Sequence, residues 1–502
     1  MFRYPESPAV GQPRAPVALH RIIAHHPRRA TPDPPFVTDL REDARLAEDG
    51  IGAAGLRPQG ARAGFLASRF GWALASFGGT FAIKLALNMA LTRLLVPEVF
   101  GIMVVVNALR VGIELLTDVG IEQNIVRNDR GLEPDFFNTA WTLQILRGAL
   151  LSLLFLALAP LAGHFYAIDP RVFMLISAAP LLNALHSTSI FAAVKRLEVK
   201  QRNLFEFAAE AVNLAACCLF AWLSPTIWSL LAGVLVGIAA RSAMSYALPH
   251  PAHRLLLRRE HVATILRFGS WIAVASLLTY AAGNIDRLML GKLAPLGLLG
   301  IFGLARTVAE LPVTLAGRLG YQVMFPYLAG DRADGARALA RVRLALVLAV
   351  AAGMASVAAW SDWAVAILYD DRYRLAGPML GGLVIGAWFG VLATLNEALV
   401  LGAGRPAYLS GAGIVRVGWL VVALPLGWGM ASFPGVIVAI WVGEIARYAV
   451  IALGQARAGA GFARQDLLGT LAFAVVLGGW IGCRHLAGIG QAWSGLFAGG
   501  IA

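Results

Sequence analysis

From residue 70 almost to the end of this 502-residue chain, apolar residues fall into blocks of roughly bilayer length. The runs lie near 70–95, 99–118, 137–162, 171–194, 205–224, 226–247, 264–290, 297–328, 340–368, 375–401, 406–428, 433–454 and 467–487. About 20 apolar residues, at a rise of ~1.5 Å each, cross a hydrocarbon core of ~30 Å. The pattern predicts an all-α, polytopic membrane protein. The eighth run is long enough to bend at Pro312 or to end before Pro326, because proline lacks the N–H that a continuous helix uses. The last run is a possible thirteenth helix, and the Gly-rich end after it is too short to cross again. The breaks between runs are short. None has room for the large outer catalytic loop of a membrane glycosyltransferase or polymerase.

Residues 1–62 depart from this pattern. They are rich in Pro and Arg and lack the apolar core of ~7–15 residues that a cleavable signal needs. They read as a disordered basic tail, with contact to anionic lipid as the alternative. The expected organisation is that tail, a six-helix half over 63–250, a cytoplasmic linker at 251–262, a second six-helix half over 263–454, and an extra helix and tail over 455–502.

Composition and charge sharpen the picture. Hydrophobic residues make up 58% of the chain and charged residues 14%, against about 25% charged in a soluble domain. The net charge of +13 does not point to nucleic acid, because the basic residues gather between apolar runs. Loops at 127–136, 195–204, 248–262, 329–343, 402–405 and 455–466 hold about 16 Lys and Arg, and the alternating set about 5. The positive-inside rule makes the first set cytoplasmic, and the amino terminus with it. The three cysteines, Cys217, Cys218 and Cys483, have neither disulfide nor zinc spacing. There is no GxSxG, HExxH or GxxxxGK. The chain therefore reads as a non-enzyme without cofactor or metal, and any transport by it is passive or ion-coupled.

Charge inside the runs carries the functional signal, since an ionisable group in a membrane helix normally faces a bundle interior or a wet cavity. Lys84 and Asn88 sit one turn apart in the first run. Asn107, Arg110 and Glu114 share a face of the second. Ser276, Tyr280, Asn284 and Arg287 share a face of the seventh, with Asp286 beside it, and Arg306, Glu310, Thr314, Arg318 and Gln322 step by four along the eighth. Arg147, Glu210, Arg241, Glu397, Arg416, Glu444 and Arg447 lie elsewhere in the runs. Two readings stay open. One is a cationic cavity that receives an anion. The other is a set of structural Arg–Glu pairs with snorkelling basic residues. Pairing or snorkelling is the simpler reading for Arg93, Lys292, Arg241 and Arg447, near run ends. Lys84, Arg147, Arg287 and Arg416 have no acid at i±4 on their own run, which favours the cavity. His164 and His186 read as packing residues.

A weak internal repeat joins the halves. Arg93 to Gly101 (RLLVPEVFG) is echoed by Lys292 to Gly300 (KLAPLGLLG), and Arg110 with Glu114 by Arg306 with Glu310. Six intervening runs, an even number, make the repeat parallel.

Several segments together resemble the polysaccharide transporter family of bacterial membranes. These are the Wzx-type oligosaccharide flippases, in the superfamily that also holds the multidrug and toxin extruders. The segments are RLLVPEVFG at Arg93–Gly101, LTDVGI with IVR at Leu116–Arg127, RNLF at Arg202–Phe205, IWSLLAG at Ile227–Gly233, DRLMLG at Asp286–Gly291, FP at Phe325–Pro326 and GAGRP at Gly402–Pro406. The resemblance spans about 70–454 and leaves out the first 60 residues and the last run. It implies twelve core helices in two six-helix lobes around a central cavity. It also implies an undecaprenyl-pyrophosphate-linked oligosaccharide as cargo, moved across the bacterial inner membrane for surface polysaccharide assembly, with polymerase or other assembly proteins as partners. Lys84, Asn88, Arg110, Arg147, Asn284, Arg287, Arg306, Arg318 and Arg416 are then candidates for the pyrophosphate and glycan, and Asp286, Glu310 and Glu397 for a coupling ion. The alternatives are a cation-coupled drug extruder on the same fold, which calls for unpaired cavity acids, and a non-transporting polysaccharide-assembly protein.

Overall fold

The computed structural model describes residues 78–79, 81–117, 120–196, 198–249, 252–320, 333–459 and 461–492. The tail expected over 1–62, the start of the first run, and Gln322 with the Phe325–Pro326 motif lie outside these residues. The chain divides into Met1–Ala75 and Ser76–Ala502, and every described residue belongs to the second unit.

Among the described residues there are helices and turns and no strand. The helices begin with α1 (81–94), α2 (Pro97–Leu116), α3 (Ile121–Arg127) and α4 (Pro134–Tyr166). The fourth run forms α5 (Pro170–Ile176), α6 (Ala179–Ala184) and α7 (Ser189–Lys195). Then come α8 (Val199–Leu223), α9 (Ile227–Ser245), α10 (Arg259–Leu293), α11 (Leu296–Ala309) and α12 (Leu311–Leu319). The chain continues through α13 (Ala333–Ala359), α14 (Ser361–Leu368), α15 (Ala376–Gly402), α16 (Ala407–Arg457) and α17 (Ala463–Leu486). Eight described helices are long and apolar enough to cross a membrane, or nine if the bent fourth run counts as one span. The protein is thus a polytopic helical membrane protein.

One run differs from the expected form. The fourth is not one helix but three pieces, bent by 50° before α7. Pro180 enters the first turn of α6 without an N–H to donate. The polar stretch that follows bonds sideways instead: the Ser187 N–H donates to Ser245 Oγ at 2.7 Å, and Ser189 Oγ to the Ser245 carbonyl at 2.9 Å. The eleventh and twelfth runs are two helical arms, as expected, joined at a sharp fold where Ala431 and Ser432 leave helical backbone angles; together they are α16. Gly427 and Gly435 pack backbone to backbone across the fold, where a Cβ on Gly435 would stand 2.0 Å from the Gly427 carbonyl oxygen. The eighth run breaks as expected, with Pro312 in the first turn of α12.

The last helix is clamped at both ends. Arg343 and Asp466, read from sequence as loop residues, are buried and ion-paired, and Asn396 on α15 bonds to both, at 2.8 Å each. At the opposite end of α17, Arg484 pairs with Asp362 at 2.7 Å and caps the Ala359 carbonyl at 3.0 Å. Between the clamps Phe473 stacks on Trp388 of α15, with ring centroids 5.3 Å apart. Asp466 sits in the first turn of α17 and Arg484 in the last, the arrangement a helix dipole favours. The polar residues that looked like loop punctuation are what seat this helix. Arg343 therefore leaves the loop tally, and the basic excess on that side still stands far above the five of the other.

The repeat-related turns meet at a tight crossing of α2 and α11. A Cβ on Gly101 would lie 1.8 Å from the Leu296 carbonyl oxygen, and one on Gly300 2.1 Å from that of Pro97. Pro97 and Leu296 are as far apart in sequence as Gly101 and Gly300, so the contact is reciprocal. That is the form two halves related by a two-fold axis through this crossing would take. A strap from the 369–374 turn covers the same end. Arg372 donates to the carbonyls of Thr92 at 3.2 Å and Arg93 at 3.1 Å, and the Tyr373 hydroxyl to that of Leu95 at 2.9 Å.

The clamps rank two substitutions. Arg343→Ala strands a buried Asp466 and should cost about 3–5 kcal/mol. Arg484→Ala should cost less, because the Asp362 side chain is 29% exposed. Thermal melting of the purified variants checks the order, and equal melting of Arg343→Ala and the parent would refute it.

Candidate functional site

The charged stripes of the seventh and eighth runs close on one another in space. Arg306 of α11 lies between Asp286 of α10, at 3.0 Å, and Glu310 at the α11–α12 bend, at 3.1 Å. Glu310 also accepts from Arg287 at 2.6 Å, and Arg287 donates to Asn284 Oδ1 at 2.8 Å. Asp286 accepts the Arg287 backbone N–H at 2.9 Å. This quartet of two acids and two arginines sums to zero formal charge. Its inner half is sealed, with the Arg306 and Asp286 side chains 3% and 1% exposed, and its outer half is open, with Arg287 at 19% and Glu310 at 31%.

A second quartet adjoins it. Arg416 pairs with Glu444 at 2.8 Å across the fold of α16. Arg447 bonds to Glu397 of α15 at 2.6 Å, to Glu444 at 3.4 Å and to Thr394 Oγ1 at 3.2 Å. It too sums to zero. The quartets adjoin: Gly390 of α15 lies against both Glu444 and Val313 of α12, the helix that Glu310 leads into. The small residue at Gly390 lets the Glu444 carboxylate in: a Cβ there would stand 3.1 Å from Oε2. The Arg416 Nε–H is buried with no hydrogen-bond acceptor, so its guanidinium keeps an unused donor.

The remaining candidates lie mostly in the first half. Arg110 and Glu114 pair at 2.8 Å within α2. Arg147 of α4 caps the end of that helix, donating to the Glu114 carbonyl and to Thr117 Oγ1. The Tyr280 hydroxyl donates to the Ala108 carbonyl and ties α10 to α2. Lys84 pairs with Glu210 of α8 at 3.2 Å but is 56% exposed. Asn88 is half-buried on α1, and Arg318 is exposed in the last turn of α12.

Sequence spacing thus found the residues of the first quartet, with its Arg306–Glu310 pair, and one arginine and one acid of the second, but not the pairs that join different helices or arms. Arg287, Lys84 and Arg416 lack an acid at i±4 because their acids come from another helix or arm. Glu444 and Arg447 stood out only as further charges. Arg343, Asp466 and Asn396 were missed. The signal that could have found them is a charge within one turn of the apolar register at a run end.

Each quartet makes a forecast about which cation is structural. Arg306→Ala leaves Asp286 buried alone and should lower stability by about 3–5 kcal/mol. Arg287→Ala leaves Glu310 still held by Arg306 and should cost no more than about 1 kcal/mol. Size-exclusion profiles of heated detergent extracts read both, and a loss in Arg287→Ala as large as in Arg306→Ala would contradict the division into sealed and open halves.

Comparison with known proteins bears on these helices. Residues 90–377 match the profile of a family described as polysaccharide biosynthesis protein. The succinoglycan biosynthesis transport protein ExoT of Rhizobium meliloti is 23% identical over 69% of this chain and 71% of its own. The teichuronic acid biosynthesis protein TuaB of Bacillus subtilis is 24% identical over 58% and 62%. The lipopolysaccharide biosynthesis protein WzxC of Escherichia coli is 24% identical over 49% and 50%. Among solved structures, the lipid II flippase MurJ in an inward closed conformation superposes with a TM-score of 0.61 at 12% identity, over 82% of this chain and all of that one. An inward-facing multidrug resistance transporter of the MATE family gives 0.53 at 13%, over 76% and 95%. These two likenesses establish the fold.

Proposed function

The chain belongs to the polysaccharide biosynthesis protein family, and from that premise we propose that it is a flippase. Its cargo is an undecaprenyl-pyrophosphate-linked oligosaccharide, carried across the bacterial inner membrane for surface polysaccharide assembly. The relatives named for succinoglycan transport, teichuronic acid and lipopolysaccharide biosynthesis support the polysaccharide role. The fold is shared with a lipid II flippase, which accords with carriage of a lipid-linked cargo.

The observation that carries the reading is the convergence of Arg287, Arg306, Arg416 and Arg447, from α10, α11 and both arms of α16, on adjoining acid-paired quartets. A pyrophosphate presents pairs of phosphoryl oxygens that a planar arginine fork matches with two parallel bonds. In the empty state the carboxylates hold the arginines at a tolerable cost. The cargo competes for them, and the half-open Arg287–Glu310 edge is where exchange begins. Lys84, Asn88, Arg110, Arg147, Asn284 and Arg318 line the polar route. Asp286, Glu310 and Glu397 take up coupling ions when cargo displaces them from arginine. A drug extruder would need spare acids, and every carboxylate of the two quartets is held by arginine.

The six-helix halves 63–250 and 263–454 rock about the α2–α11 crossing, which alternates access. Loop charge sets the amino terminus in the cytoplasm, so the reciprocal glycine crossing and the Arg372–Tyr373 strap close the outer end. A polymerase or other assembly protein receives the product there.

The test is surface polysaccharide measured beside membrane protein amount, in a strain relying on this chain. Lys84→Ala, Arg287→Ala and Arg416→Ala should each weaken cargo handling ~10- to 100-fold, as loss of a charge-assisted bond of ~1.5–3 kcal/mol requires. Arg287→Lys should be intermediate, because it keeps charge without the fork. Normal polysaccharide in all three alanine variants would reject the arginine mechanism.

A further inference from the structure

The segment that joins α9 to α10 is held more firmly than a loop needs to be. From Ala252 to Arg258 it forms no helix, yet polar side chains of α4 bind its backbone. The Asn138 amide donates to the Ala252 carbonyl at 3.3 Å and accepts the Arg254 N–H at 3.0 Å. One turn on, Thr142 Oγ1 accepts the Leu256 N–H at 3.0 Å, and Thr139 Oγ1 accepts that of Arg258 at 3.4 Å. All three side chains are buried. His253 plugs the start of the segment. Its ring stacks on Trp141 and Phe137, with centroids 4.7 and 5.7 Å away, and meets Tyr246 edge-on at 5.3 Å. Its Nε2 lies 2.8 Å from Ser187 Oγ.

The other side of the segment faces away from the protein. Leu255 is 74% exposed and Leu257 51%. Arg254 precedes them and Arg258 and Arg259 follow, all exposed. Arg258 pairs with Asp135 at 3.4 Å, and Glu260 comes next, so the arginines form no bare positive patch. Their placement around two outward leucines is what suits a headgroup layer, which offers phosphates above apolar chains. The course of α4 says the same. At 3.6 residues per turn, Asn138, Thr142, Leu146, Leu150 and Leu153 fall on one side of that helix. The segment covers this side at Asn138 and Thr142, and beyond it Leu146, Leu150 and Leu153 are exposed. Because α4 is long and apolar enough to cross the membrane, those leucines face lipid. The segment thus lies one helical turn, about 6 Å along the axis, from the start of a lipid-facing stripe.

We propose that residues 252–259 are an interfacial anchor. Leu255 and Leu257 enter the boundary between headgroups and acyl chains, and Arg254, Arg258 and Arg259 reach the lipid phosphates with their stems along the apolar layer. The occupant of this surface is the phospholipid leaflet on that side, which loop charge makes the cytoplasmic one. The two faces of the segment are complementary. Side chains of α4 satisfy backbone groups that acyl chains cannot, and lipid takes the leucines that α4 leaves outside. The anchor fixes the depth at which α10 begins, and it does not depend on the identity of any cargo.

The experiment uses the full chain in nanodiscs of phosphatidylcholine and phosphatidylglycerol, with Cys218 and Cys483 changed to alanine; Cys217 is buried and stays. Leu255→Cys and Leu257→Cys each carry a fluorescent label. It is quenched by iodide from the water or by a phosphatidylcholine with a nitroxide near the head of its acyl chain. Leu150→Cys gives the lipid reference, and Asp371→Cys, in an exposed turn of charged residues, the water reference. Both linker labels should be quenched by the nitroxide as at Leu150 and should lose most of the iodide quenching seen at Asp371. Arg254→Ala/Arg259→Ala should weaken nitroxide quenching at Leu257, and Arg254→Lys/Arg259→Lys should retain most of it. Iodide quenching equal to that at Asp371 overturns the proposal. Shielding from both quenchers overturns it too, since a protein segment or a second copy would then cover the leucines. Unchanged nitroxide quenching in the double alanine variant overturns the phosphate contact. Where a label lowers the melting temperature, the reaction rate of the bare cysteine with a water-soluble maleimide decides: a rate well below that at Asp371 supports the anchor and an equal rate overturns it.

Discussion

A charge in hydrocarbon has to be neutralised or wetted, and this chain buries many of them. The architecture follows from how that demand is met. Arginines that lack a partner on their own helix take one from a neighbour: Arg416 from the opposite arm of α16, Arg287 from the α11–α12 bend, Arg343 from α17. Each such pair fixes how two elements approach and in what register. Replacing them all with apolar side chains would often be no worse for stability.

The second constraint is closeness. Helices in lipid gain little from burying apolar surface against each other, so small residues that let backbones touch carry the packing. Gly101 and Gly300 do this at the α2–α11 crossing, Gly233 against Cys217 in the α8–α9 pair, and Gly427 against Gly435 in the fold of α16. The first of these contacts joins opposite halves of the chain, and the strap from Arg372 and Tyr373 lies over it. Tight backbone crossings and a sparse set of ion pairs are thus complementary. The crossings fix how closely elements approach, and the ion pairs fix their register.

Much of the fold was legible because lipid imposes one rule on every span. Blocks of twenty apolar residues marked the thirteen runs, and proline placed the break in the eighth. The kinks in the fourth run were not legible. Apolar residues flank the short polar stretch at His186–Ser189 on both sides, and the break comes from Pro180 together with serines that bond to a distant helix. The charge partners were out of reach for a related reason. Spacing reports neighbours along one helix, so Arg110–Glu114 and Arg306–Glu310 could be anticipated, whereas Lys84–Glu210 and Arg447–Glu397 depend on which helices touch. Arg343 and Asp466 misled because a charge at a run end looks the same whether it faces water or a buried partner.

The central claim is that the paired arginines serve the passage of a pyrophosphate-linked glycan. Its most direct test is translocation by the purified protein in sealed vesicles loaded symmetrically with undecaprenyl-pyrophosphate-linked oligosaccharide, with a membrane-impermeant glycosidase added outside. If the claim holds, the enzyme consumes the inner-leaflet glycan as well as the outer, and does so only when the protein is present. Consumption of the outer-leaflet share alone, in vesicles with and without the protein, would contradict it.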